Sequence, residues 1–191
     1  MAISMEPPTP IKYIILFPCM ADDWPGFGGA RRDGASTEKG LRLAWGDDEP
    51  KPLWKAKVGA GYSSVVEAAG LAYTVGNANG KNTIFCFDVN SGEEKWSHSF
   101  PCEKAPKYFD GGSRATPAVA DGILYLASHE GAFFAFEAKT GKVLWSKDFI
   151  EDFNGKQMLG TIQSKWYMEY DPNRAGKENP LDILRRNGVE V

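Results

Sequence analysis

The chain has 191 residues with 25 acidic and 22 basic side chains, a formal net charge of −3, so it lacks the basic field that nucleic acid or an anionic membrane surface attracts. Its 21 glycines and 13% aromatic content suit short strands joined by tight turns, the composition of a globular β-protein.

In chain order, the first element is the apolar run Tyr13-Ile14-Ile15-Leu16-Phe17-Pro18-Cys19-Met20-Ala21 behind Lys12. It reads as a weak export signal cut before Asp22, or as a disordered leader over residues 1–21, and Glu6, Pro7, Pro8, Pro10 and Pro18 weigh against the first reading. Leu16-Phe17-Pro18-Cys19 has the outline of a lipoprotein box with Pro18 where a small residue is expected. The run is too short to span a bilayer. Gly26-Phe27-Gly28-Gly29 follows no strand and lacks the dinucleotide and phosphate-loop patterns, so its glycines shape an entry loop. Ser36-Thr37-Glu38-Lys39 matches Ser-x-x-Lys, but Gly40 follows directly and no helix supports it.

Pro52-Leu53-Trp54-Lys55-Ala56 then reads as a lone closing strand, and residues 64–100 and 116–149 read as two copies of one unit. Gly70 answers to Gly122, Tyr73 to Tyr125, Phe87 to Phe136, Gly92 to Gly141 and Trp96 to Trp145. Trp54, Trp96 and Trp145 stand 42 and 49 residues apart, within the range of about 40 to 50 residues per propeller blade. In the second copy, Ala118-Val119-Ala120, Ile123 to Leu126, Ala132 to Glu137 and Lys142 to Lys147 are β-rich runs separated by Asp121-Gly122, Gly131 and Thr140-Gly141. No segment of residues 54–149 keeps a helical period, so each copy is expected to be a four-stranded antiparallel sheet covered by neighbours in a radial stack.

Asp88-Val89-Asn90-Ser91-Gly92-Glu93-Glu94-Lys95-Trp96 and Glu137-Ala138-Lys139-Thr140-Gly141-Lys142-Val143-Leu144-Trp145 resemble the tryptophan-docking motif of the pyrroloquinoline-quinone (PQQ) repeat family. That motif places an acidic residue before a Ser-Gly or Thr-Gly turn and a Trp four residues after the Gly. Residues 23–34 resemble the opening segment of secreted bacterial PQQ-like β-propellers, and residues 108–117 the loop that opens a following blade. The resemblance covers about residues 23–155. It implies an all-β, incomplete β-propeller of four-stranded antiparallel blades over residues 22–155, with Trp54, Trp96, Trp145, Gly92 and Gly141 as docking residues. Trp96 and Trp145 are then expected as largely buried wedges between blades.

Closed propellers use 4 to 8 blades, and a ring at this spacing needs more than 191 residues. The chain therefore reads as a propeller fragment, from a truncated gene or a specialised short protein. Residues 156–191 read as a divergent, irregular tail. Within it Asn179, Pro180 and Gly188 supply the cap, first position and stop of a short helix.

Candidate chemistry is sparse. Cys19, Cys86 and Cys102 form no metal or redox motif, and Cys86 with Cys102 could pair or remain free. His98 and His129 stand without Cys or carboxylate neighbours at ligand spacing, so no metal site is expected. The one constellation is Asp110 and Arg114 flanked by Lys107 and Tyr108, which the resemblance places on a loop toward the central channel. There Arg114 could grip a carboxylate or phosphate through its planar fork, or Asp110 and Arg114 could simply pair and hold the turn.

Two functions follow from the resemblance. One is a non-catalytic binding or scaffold module, periplasmic or secreted and otherwise cytoplasmic, with a protein or polysaccharide partner, no cofactor, and self-association through an open blade edge. The other is a fragment of a PQQ-dependent alcohol or sugar dehydrogenase, using PQQ with calcium. Those enzymes commonly carry a vicinal disulfide, and no two cysteines are adjacent here.

Overall fold

A computed structural model describes residues 13–16, 22–39, 51–105 and 110–152, all of it β-structure, turns and loops. The expected tail helix, Cys19, Lys107 and Tyr108 lie outside these residues. Strand β1 (Tyr13–Leu16) runs antiparallel to β2 (Trp54–Lys57), pairing Tyr13 with Lys57 and Leu16 with Trp54. Two four-stranded antiparallel sheets follow, each meandering in chain order. The first holds β3 (Val66–Ala68), β4 (Leu71–Ala78), β5 (Lys81–Asp88) and β6 (Glu94–Pro101). The second holds β7 (Ala118–Ala120), β8 (Ile123–Ala127), β9 (Ala132–Glu137) and β10 (Val143–Asp148). These are the two blades expected from the repeat, and no helix occurs among the described residues.

The hairpins follow from two-residue turns. Asn79-Gly80 and Asp121-Gly122 have φ of 53° and 71°, and 50° and 76°, so both central residues are left-handed as the twist of the flanking strands requires. The longer turn between the outer strands is held by its acidic residue. Asp88 Oδ1 accepts hydrogen bonds from the Asn90 and Ser91 amides at 3.1 and 2.9 Å and from the Ser91 hydroxyl at 3.0 Å, and Glu137 accepts from the Thr140 hydroxyl. Those donors favour the ionised form and hold the Asp88 carboxyl below its ordinary range. In each blade the outer pair then slips by one residue, between Phe87 and Cys86 in the first and between Val143 and Trp145 in the second. This bulge turns Trp96 and Trp145 onto the same face of their sheets.

Burial along the strands separates the two blades. In β4, Ala72 to Asn77 are all buried, because this sheet is covered on both faces. One face packs on Val58, Val65 and partly buried Trp54 and Ala56. The other packs through Tyr73, Val75, Ile84 and Phe100 on Leu124, Leu126 and Phe136 of the second blade. Strand β8 instead alternates, with Leu124 and Leu126 buried and Tyr125 exposed, and β10 is exposed over nearly its whole length. Blade two is covered on one face only by the described residues.

Ahead of the blades, residues 22–39 stitch their inner edges. Trp24 exchanges two backbone hydrogen bonds with Glu67 of β3 at 2.9 and 3.0 Å, and the Pro25 carbonyl accepts from Val119 of β7 at 2.7 Å. Gly28 and Gly29, both at positive φ, bend this entry loop, and Trp24 lies against Gly29, where a Cβ would come within 2.8 Å of the indole.

Candidate functional site

The site is built from a contact that occurs twice among the described residues, and a third Trp of the same motif lacks it there. At Gly92 an added Cβ would lie 2.5 Å from the Trp54 ring, and at Gly141 it would lie 2.5 Å from the Trp96 ring, so each indole rests flat on a glycine of the following blade. Their φ values of 72° and 73° also demand glycine. Each indole N–H is satisfied across the interface: Trp54 Nε1 donates to the Val89 carbonyl at 2.7 Å, and Trp96 Nε1 to the Ala138 carbonyl at 2.9 Å. Tyr73 adds its hydroxyl to the Ala138 carbonyl at 3.2 Å. Phe100 packs on Phe134 with ring centroids 4.8 Å apart, and Trp96 on Phe136 at 5.8 Å. His98 sits edge-on to Phe134 and Phe136 at 5.5 and 5.2 Å, packed into the seam, and burial pushes its pKa down.

Trp145 departs from the expected burial. It is 45% exposed and touches Tyr125 of its own blade, with ring centroids 6.3 Å apart, because no described segment presents a glycine turn to it. Its row is more exposed than the equivalent row of blade one. Tyr73, Ile84 and Phe100 of blade one are 1%, 0% and 6% exposed, while their counterparts Tyr125, Phe133 and Phe149 of blade two are 40%, 42% and 51% exposed. The row that holds the blades together in the first copy is partly exposed in the second.

The loop constellation is otherwise arranged than expected. Asp110 and Arg114 are both exposed, but Arg114 Nη2 donates to the Ala105 carbonyl at 3.0 Å, and the anticipated Asp110–Arg114 ion pair does not form. Cys86 and Cys102 are buried free thiols, both pushed up to about 12 by burial. One expectation is overturned: His129 is not alone, since its Nδ1 lies 3.7 Å from Cys102 Sγ and Glu130 completes a cluster with them. Spacing could not reveal it, because Cys102 and His129 belong to different blades.

Residues 103–163 match the family described as outer membrane protein assembly factor BamB. That span takes in the whole of the second four-stranded sheet. No curated protein matches the chain. Among solved structures it is similar to BamB from Moraxella catarrhalis, at 18% identity over 52% of this chain and 27% of that one, with a TM-score of 0.40. A europium-containing methanol dehydrogenase aligns at 15% identity over 53% of this chain and 20% of that one, TM-score 0.39. A quinohemoprotein alcohol dehydrogenase from Pseudomonas putida HK5 aligns at 19% identity over 53% and 16%, TM-score 0.37. The chain thus spans less than a third of the length of each. Among the described residues no helix is long and apolar enough to cross a membrane.

Proposed function

We propose that this chain is a non-catalytic binding or scaffold module that engages protein through the open face of its second PQQ-like blade. The observation carrying this reading is the row Tyr125, Phe133 and Trp145, 40 to 45% exposed where the same row of blade one is covered. A blade face of this composition is built to be buried, and its natural cover is another sheet. The occupant we put forward is a second copy of the chain, face against face, in a symmetric contact that sets each Trp145 and Tyr125 against those of its partner. Three half-exposed aromatics present roughly 200–300 Å² per copy. A pair therefore hides less than the ~1,200 Å² of a stable complex, and association falls in the weak, transient class. A periplasmic or secreted location accompanies this reading.

Light-scattering chromatography over a dilution series tests it. The mass should fall from two chains to one on dilution, and Trp145→Asp should be monomeric throughout. A wild-type chain that stays monomeric at the highest concentrations would remove self-association. The other reading, a dehydrogenase fragment, is separated by titration with PQQ and calcium. With no adjacent cysteines, and with two blades among the described residues to wall a planar cofactor, no saturable binding below the micromolar range is expected. Tight stoichiometric uptake of PQQ would overturn the non-catalytic reading.

A further inference from the structure

We propose that Cys102, His129 and Glu130 bind a divalent transition-metal ion of the zinc class and so clip the two blades together. Cys102 lies just past β6, at the end of blade one, and His129 and Glu130 form the turn between β8 and β9 of blade two. One donor atom from each of the three lies within 4.8 Å of the others. The Cys102 Sγ to His129 Nδ1 distance is 3.7 Å. A thiolate and an imidazole bound to one tetrahedral zinc at about 2.3 and 2.0–2.1 Å stand about 3.6 Å apart, so the pair needs almost no adjustment.

The surroundings favour an ion there. The Nδ1 that would ligate the ion meets only a thiol. Glu130 Oε1 accepts the Glu103 amide at 3.0 Å, which orients its carboxylate. The Cys102 backbone is fixed on both sides, its amide donating to the Gly80 carbonyl at 3.0 Å and its carbonyl accepting from buried Asn77 Nδ2 at 2.8 Å. The donor set also selects the ion, because sulfur and nitrogen together suit zinc-class metals, whereas calcium and magnesium take oxygen.

On binding, the Cys102 S–H bond breaks, the proton passes to solvent, and the sulfur lone pair forms the bond to the metal. Three protein ligands leave one position for water. The clip rests on different atoms from the aromatic row of blade two, so either proposal can fail alone.

The chain, stripped with chelator, is titrated with zinc alone and with cobalt(II) alone. One equivalent of zinc should bind at micromolar or tighter affinity and raise the melting temperature. Cobalt should give a thiolate charge-transfer band that is lost in Cys102→Ser and kept in Cys86→Ser. Glu130→Gln and His129→Gln, both in a turn, keep the test open if the buried Cys102 variant does not fold. Each should weaken zinc by ~10-fold or more, the scale of a lost partner in a metal site. Absence of saturable zinc uptake, or uptake unchanged in Glu130→Gln and His129→Gln, overturns the proposal.

Discussion

Gly76→Ala is expected to cost ~4 kcal/mol or more, a loss of the size that single substitutions reach only through a specific structural insult. An ideal Cβ at this position would stand 1.7 Å from the Val58 carbonyl oxygen and 2.6 Å from its carbon. Both are backbone atoms, so no side chain can swing aside. The segment they belong to is tied to β4 next door, where Ala60 and Asn77 exchange hydrogen bonds of 2.8 and 2.7 Å, and Val58 is itself 4% exposed. Making room would break that pairing and open the core on the far side of blade one. Since small domains are stable by only about 5–15 kcal/mol, much of the folded population is at stake. Gly70→Ala is the control, because nothing lies within 4 Å of its added methyl and only the positive φ of 76° opposes it. It should cost ~1 kcal/mol, the ordinary scale of a left-handed non-glycine residue. Urea melts of the two variants decide the matter, and a Gly76→Ala loss no larger than that of Gly70→Ala would mean that residues 58–60 do not pack on β4.

The second large effect is an asymmetry between equivalent tryptophans. Trp96→Ala removes a ring wedged between Gly141, Tyr73 and Phe136 and orphans the Ala138 carbonyl of one of its donors. The expected cost is ~3–5 kcal/mol. Trp145→Ala, in the same motif with the ring 45% exposed, should cost under ~1 kcal/mol in dilute solution. Denaturant melts at low and high protein concentration measure both. If the Trp145 penalty grows with concentration, its face is being covered by another chain. If the two penalties are equal when dilute, the open row is covered within the single chain.

What the sequence made legible was local. Gly92 and Gly141 before Trp96 and Trp145, and the Asp-Gly turn at Asp121, each specify their geometry within a few residues, and the repeat spacing assembles them into blades. What it hid were contacts made across the fold. Gly76 interrupts an apolar strand, a known mark of close backbone approach, but nothing in the chain says that Val58 is the approaching partner. Equally, Trp96 and Trp145 have nearly the same neighbours in sequence, and their different exposure depends only on whether another blade stands beside them. Cys102 and His129 meet because β6 ends beside the β8–β9 turn, a coincidence of two hairpins. Arg114 was read with Asp110 because both are charged and near in sequence, yet in the fold it donates to the Ala105 carbonyl.

The entry segment carries a consequence for how the protein is made. Trp24 and Pro25 leave the ribosome before either inner strand exists, and their partners Glu67 and Val119 follow at different times, the second roughly a hundred residues later. At ordinary synthesis rates that delay is on the order of ten seconds. Toward its end the completed first blade presents Tyr73, Trp96 and Phe100 uncovered, and only the arrival of β7 to β9 closes both the aromatic seam and the inner edge. Chaperone dependence during translation, rather than the stability of the finished chain, is where this topology would be felt.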